Sequence, residues 1–244
     1  ELAEMLHSRH IPVTFLVRET SFWNGVLPEE ESELINREIR EKGIDLRLNT
    51  NLKEIKTDEN GQVRSIVTEE EGEEIPCTVV GLTAGVSPNI SYLKGSDITT
   101  NRGILVNRYL ETNLPDIYAI GDCAEQQEPI GQRRPVEAVW YTGRMMGETV
   151  AQTICGNRTA YQPGPWFNSA KFFDIEYQTY GWVWAKPKEN EARFYWEHTS
   201  GKKCIHLNFY KKSRMFIGIN TFGIRLRHAF FDRVLQQGET VDYV

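Results

Sequence analysis

Thr112-Asn113-Leu114-Pro115-Asp116-Ile117-Tyr118-Ala119-Ile120-Gly121-Asp122 is the stretch on which the fold reading turns. Ile117 to Ile120 is an apolar run of strand length, and it ends in a Gly-Asp step. The carboxyl end of a parallel strand is where open α/β sheets bind ligands. Gly121 lets a bulky ligand approach the backbone, and the Asp122 carboxylate accepts hydrogen bonds from sugar-like hydroxyls. Downstream, Pro135 to Cys155 reads as a helix. Pro135 suits its first position, where a missing N–H costs nothing, and Gly156 ends it. A helix start presents unpaired N–H groups and a positive dipole end, suited to a partial negative charge.

Upstream of that stretch, residues 1 to 10 read as the end of a helix, with Leu2, Met5 and Leu6 at helical spacing. Val13 to Val17 is a mostly apolar strand, followed by a helix from Glu29 to Lys42 with acids in its first turn and Gly43 as its stop. Strand, helix, strand in that order suggests a βαβ unit. Leu46 to Leu48, Leu52 to Lys56, Val63 to Thr68 and Ile75 to Leu82 then read as short strands. Asp58-Glu59-Asn60-Gly61 and Glu70-Glu71-Gly72 are the turn signals between them. Thr83 to Asn89 is a turn punctuated by Gly85 and Pro88, and Gly103 to Val106 opens a further segment. Tyr161-Gln162-Pro163-Gly164-Pro165 is the clearest linker. Beyond it lie Trp166, Trp182, Trp184 and Trp196, strands at 171–180, 193–197, 203–210 and 214–220, and a helix from Arg225 to Gln237. That is an antiparallel sheet with a terminal helix, suited to a small separate domain.

Bulk properties exclude several classes. The 244 residues are 40% hydrophobic and 25% charged, ordinary for a globular protein, and the net charge of -6 makes nucleic acid an unsuitable partner. No apolar run has the length of a membrane span. Cys77, Cys123, Cys155 and Cys204 are too dispersed for a CxxC redox pair or a zinc knuckle, and unpaired cysteines fit a reducing cytoplasm. The five histidines show no ligand spacing, so no metal site is expected.

The T-x-x-P-x-I-Y-A-x-G-D pattern resembles the second flavin-binding motif of the FAD-dependent pyridine nucleotide-disulfide oxidoreductases, flavoproteins with two dinucleotide-binding domains. Three further segments match in the family's order. Glu1-Leu2-Ala3 looks like the residues just after the nicotinamide domain's glycine loop. Gly81 to Asn89 resembles the A-x-G-x-x-P-N turn that leaves that domain. Gly164-Pro165-Trp166-Phe167, with Ser169 and the following sheet, resembles the C-terminal domain of ferredoxin- and rubredoxin-reductase-like members; NADH oxidase-like members are similar.

The resemblance implies an α/β fold with partial nicotinamide-binding and FAD-binding Rossmann-like layers and a C-terminal α+β domain. The expected boundaries are 1–88, 89–160 and 165–244. It implies FAD and NAD(P)H as cofactors, with electrons passing from the nicotinamide through the flavin to an acceptor. Asp122 and Gly121 would meet the flavin's ribityl or pyrophosphate region. The amides near Val136 and Glu137 would face its N1/O2 edge, stabilising charge on the reduced ring. Glu137 and Trp140 would stand near flavin and nicotinamide, and Gly85 and Pro88 would shape the nicotinamide edge. Arg18, after the strand ending at Val17, would favour a 2′-phosphate, although Glu19 beside it opposes one.

Two departures stand out. Asn107 occupies a position where many members carry Asp, and neither glycine-rich dinucleotide loop occurs in the 244 residues. The second loop is expected immediately before Glu1. The chain therefore reads as a C-terminal fragment, inactive alone, of a cytoplasmic oxidoreductase. Its expected partners are the N-terminal half of the same protein, a ferredoxin- or rubredoxin-like acceptor and a second copy docked through the aromatic last domain. Two alternatives stand beside it: a non-catalytic interaction fragment, and a signalling flavoprotein of the apoptosis-inducing-factor type. Cys123 reads as a small buried residue, and the last domain's tryptophans as core and interface.

Overall fold

The computed structural model describes residues 1–70 and 72–244; the Glu71 part of the expected second turn lies outside them. The chain divides into two compact units, one of residues 1–82 with 169–244, the other of residues 83–168.

In the first unit, helix α1 (Leu2–His7) precedes strand β1 (Thr14–Val17). The helix expected to residue 10 ends early, because His10 takes a left-handed conformation (φ 58°). β1 pairs in parallel with β2 (Asp45–Leu48), and α2 (Glu29–Glu41) connects them as the expected βαβ unit. Glu29, Glu30 and Glu31 sit in the first turn of α2, where negative charge complements the dipole. Leu34, Ile35 and Ile39 bury its inner face. Strands β3 (Leu52–Thr57), β4 (Val63–Thr68) and β5 (Glu74–Pro76) form an antiparallel meander. The first hairpin closes as its residues dictate: the Asp58 carboxylate accepts the N–H groups of Asn60 and Gln62. The strand expected from Ile75 to Leu82 stops at Pro76. Beyond Cys77 the ladder with β4 is exhausted, and Val79 and Leu82 are exposed.

In the second unit, β6 (Ile104–Val106) pairs in parallel with β7 (Ala124–Gln126), and α3 (Trp140–Ile154) packs beside them. The core is Ile104, Val106, Leu110, Ala119, Ala124, Met146, Val150 and Tyr161. Three expectations need correction here. Ile117 to Ile120 is not a strand. Tyr118 makes one isolated bridge to Glu111, and of this run only Ala119 is buried, whereas Ile117 and Ile120 are exposed. β7 was not expected; two of its three residues are the polar Glu125 and Gln126. Both are buried, the Glu125 carboxylate accepting the Gly103 N–H at 2.7 Å and the Asn101 amide at 2.9 Å. Finally, the helix begins at Trp140 rather than Pro135. Pro135 is tied to β7, its carbonyl accepting the Gln126 N–H at 2.8 Å, and a turn between Glu137 and Val139 (2.9 Å) precedes the first helical residue.

A five-stranded antiparallel sheet completes the first unit, in the order β10-β11-β12-β9-β8; the boundary between units falls inside β8 (Phe167–Phe172). β9 is Ile175–Gly181, β10 Glu191–Glu197, β11 Cys204–Tyr210 and β12 Phe216–Phe222. The run expected as one strand over 171–180 is a hairpin, turning at Phe173 (φ 54°). Phe173, Ile175, Tyr177, Cys204 and Phe222 share one core with Leu34, Ile35 and Ile39 of α2. Helix α4 (His228–Gln237) buries Phe231 and Val234, with Phe231 stacked on Tyr180, and Gly238 closes it in the left-handed conformation.

Candidate functional site

Gly121 opens a single 3-10 turn, Gly121–Cys123, in the left-handed region at φ 74°. A side chain there would meet open space but strain the backbone, so the position calls for glycine on conformational grounds. The turn lies against α3. The Gly121 N–H points to Met146 Sδ at 3.4 Å, and a Cβ on Gly143 would stand 3.4 Å from Gly121 Cα. Gly143 and Gly147 lie four residues apart on α3, and each lowers helix propensity by about 1 kcal/mol relative to alanine. In return they let the helix approach Ile120 and Gly121 closely.

Asp122 is exposed, and its carboxylate has no hydrogen-bond or ionic partner among the described residues. The 88–90 segment reaches the same turn, with Cys123 Sγ 3.9 Å from the Asn89 carbonyl. Pro88 is half-buried there, and Gly85 lies three residues earlier in an exposed segment at φ 99°. The backbone N–H groups of Val136 and Glu137 likewise have no partner among the described residues.

The Glu137 side chain is engaged within the protein. Its carboxylate, 7% exposed, forms an ion pair with Arg133 (6% exposed) at 2.8 Å and accepts the Thr142 hydroxyl at 3.3 Å. Arg133 Nη2 also faces the carbonyls of Pro163, Gly164 and Pro165 at 3.2–3.5 Å, and the guanidinium lies 5.4 Å from the Trp166 ring centre. Glu137 is thus internally paired, and only its amide is open. Trp140 is 68% exposed at the first position of α3, with Arg144 above its ring. Arg18 belongs to the other unit, and its guanidinium is held by Glu19 at 2.6 Å.

Asn107 also has a reason to be Asn. Its Oδ1 accepts the N–H groups of Tyr109 and Glu111, while its Nδ2 donates to the Glu111 carboxylate at 2.8 Å. An aspartate would set two carboxylates together. Arg158 completes this cluster with two 2.8 Å bonds to Glu111, and the guanidinium holds that carboxyl at about 2.

Gly121 and Asp122 fit a polyhydroxylated group: an unpartnered carboxylate accepts hydroxyls, and the backbone at Gly121 is unobstructed. The unpartnered Val136 and Glu137 N–H groups, on the segment leading into α3, suit a partial negative charge. Among the described residues no group of three His, Cys, Asp or Glu side chains is placed to hold a metal ion, and no helix is long and apolar enough to cross a membrane. Sequence reasoning missed the Arg133–Glu137 pair. Its only signal was two arginines shortly before Glu137, and their spacing on a nonhelical loop carries no rule.

The model of the pyridine nucleotide-disulphide oxidoreductase family matches residues 1–150. A rubredoxin-NAD(+) reductase of Acinetobacter baylyi is 39% identical over 100 residues, covering 41% of this chain and 25% of that protein. The 5,5'-dehydrodivanillate O-demethylase ferredoxin reductase subunit of Sphingobium sp. is 33% identical over 154 residues, 62% of this chain and 37% of that one. Among solved structures, a ferredoxin reductase from Rhodopseudomonas palustris superimposes with a TM-score of 0.83 at 21% identity, over 98% of this chain and 57% of that chain. The chain thus spans well under two thirds of these relatives' lengths, and the last likeness establishes the mixed α/β fold alone. With 150 of its 244 residues matched, the chain belongs to the pyridine nucleotide-disulphide oxidoreductase family.

Proposed function

We propose that this chain is the C-terminal part of a FAD-dependent NAD(P)H oxidoreductase and contributes one wall of its flavin site. The observation that carries the reading is the Gly121–Asp122 turn, packed on α3 with an unpartnered carboxylate; the Val136 and Glu137 amides, on the segment that leads into α3, are likewise without partners among the described residues. Asp122 would accept hydrogen bonds from the flavin's ribityl hydroxyls. The two amides would donate to an oxygen that gains negative charge, at no reorganisation cost because the loop is already braced. Bound FAD would supply the two-electron acceptor for a nicotinamide hydride. Trp140, Gly85 and Pro88 would shape the nicotinamide side. Arg18 would meet the adenosine ribose; its pairing with Glu19 means that a 2′-phosphate has to compete with a carboxylate, so Glu19→Gln shifts preference towards NADPH.

The relatives' names support a rubredoxin- or ferredoxin-type acceptor for the whole protein. The division at 1–88, 89–160 and 165–244, a cytoplasmic setting, the N-terminal half as partner and a homodimer belong to the same proposal. Exposed Val86, Tyr92 and Ile154 of the 83–168 unit favour a second reading, an interaction module whose exposed apolar side chains are covered by a partner.

A titration of the purified chain with FAD, followed by flavin fluorescence, separates them. The wall reading expects weak, saturable quenching that Asp122→Ala weakens at least about tenfold, the effect of one lost charge-assisted contact. Equal quenching by both proteins would sink it.

A further inference from the structure

A narrow cavity of about 10 Å³ in the 83–168 unit is bordered by Gln126, Ile130, Arg133, Glu137, Met146 and Tyr161. That is the room one water molecule occupies. Two of the residues that border it, Gln126 and Tyr161, only 7% and 2% exposed, each carry a buried polar atom without a partner among the described residues: Gln126 Nε2 and Tyr161 Oη. Buried amide and hydroxyl groups are almost always hydrogen-bonded, and a buried water requires two to four polar partners. The paired Glu137 carboxylate supplies a third group on the same wall.

We propose that this cavity binds one structural water. It accepts the Gln126 side-chain N–H, bonds the Tyr161 hydroxyl and donates to the Glu137 carboxylate. Burial pushes the Tyr161 hydroxyl up to about 12, so it remains a neutral donor. Both side chains come from anchored backbone: the Tyr161 N–H donates to the Arg108 carbonyl at 2.7 Å, and the Gln126 N–H to the Pro135 carbonyl at 2.8 Å. The water therefore joins β7, the loop carrying Arg133 and Glu137, and the segment at Tyr161. With the ion pair, it braces the backbone that presents the Val136 and Glu137 amides. None of this depends on the chain binding a flavin.

A crystal structure of the chain at a resolution that shows ordered water tests the proposal without any substitution. One density peak within hydrogen-bonding distance of both Gln126 Nε2 and Tyr161 Oη is expected. No peak, or a direct bond between the two side chains, would overturn it. Magnetic relaxation dispersion of water nuclei provides an independent count: the Gln126→Leu/Tyr161→Phe variant loses one long-lived internal water relative to wild type. An unchanged count in a folded variant would also overturn the proposal, and if the variant does not fold, the wild-type density decides.

Discussion

The two units bury themselves by different means. In the 1–82/169–244 unit, all seven residues of β12 are buried, and α2 and the sheet share one apolar core. In the 83–168 unit, β6 and β7 have three residues each, and α3 buries only Thr142, Met146 and Val150. The larger unit buries polar groups too, the Asn220 amide of β12 donating to the fully buried Glu31 carboxylate at 2.9 Å, but it surrounds them with apolar side chains. The smaller unit has the smaller apolar core and relies more on the Arg133–Glu137 pair, on the Glu125 carboxylate that holds backbone, and on helix glycines that permit close packing. A segment held by polar braces can leave amides and a carboxylate open for a ligand, whereas a strand buried on both faces, as β12 is, has few such groups to spare.

The apolar core of the larger unit is most exposed to test at Phe222, which is fully buried in it. Phe222→Ala is expected to cost about 4 kcal/mol in denaturant unfolding, from lost burial plus a residual cavity. Less than about 1 kcal/mol would mean that this core does not hold the larger unit. Next in size is Arg133→Met, which leaves the buried Glu137 carboxylate with only the Thr142 hydroxyl and without its opposite charge. A loss of about 3 kcal/mol is expected, with most of it recovered in Arg133→Met/Glu137→Leu. If the double variant is as unstable as the single one, the brace does not act through the paired charge.

Two glycine substitutions sharpen the contrast. A Cβ on Gly181 would stand 2.1 Å from the Ile217 carbonyl oxygen, in a left-handed backbone (φ 67°), so Gly181→Ala is expected to cost about 2 kcal/mol or more. Gly143→Ala places its Cβ at 3.4 Å from Gly121 Cα and gains helix propensity, so it is expected to lie within about 1 kcal/mol of wild type. Calorimetry of both variants decides; equal losses would show that α3 packs as tightly as the sheet.

The smallest effect concerns acid. Arg158, followed by Asn107, lowers the Glu111 carboxyl from 4.5 to about 2. The stabilisation is therefore complete above pH 4.5 and lost as pH falls towards 2. Because the pair is partly exposed, salt weakens it. Arg158→Gln should flatten this part of the acid-unfolding curve slightly, and an unchanged curve would show that the pair adds nothing.

Much of the larger unit was legible because its signals are local. The βαβ order, the Asp58 hairpin and the Gly238 stop follow from periodicity and turn chemistry. The smaller unit misled at the points where tertiary contacts override local preference. Pro135 reads as a helix start until its carbonyl is committed to Gln126, and Ile117 to Ile120 reads as a strand although two of its isoleucines remain exposed. Nothing nearby in sequence announces that Glu125 will be buried and satisfied by Asn101 and Gly103.

By itself, the sequence determined the family and the position of the Gly121-Asp122 turn, because that motif is long and its glycine conformation is set locally. Only the tertiary structure decided which polar groups are consumed and which stay open. Glu137 is withdrawn by Arg133 and Thr142, Arg18 by Glu19, while Asp122 and the Val136 amide are left without partners. The physical reason is that hydrogen-bond satisfaction is settled among groups brought together by folding, and the distance between them in sequence carries no record of it.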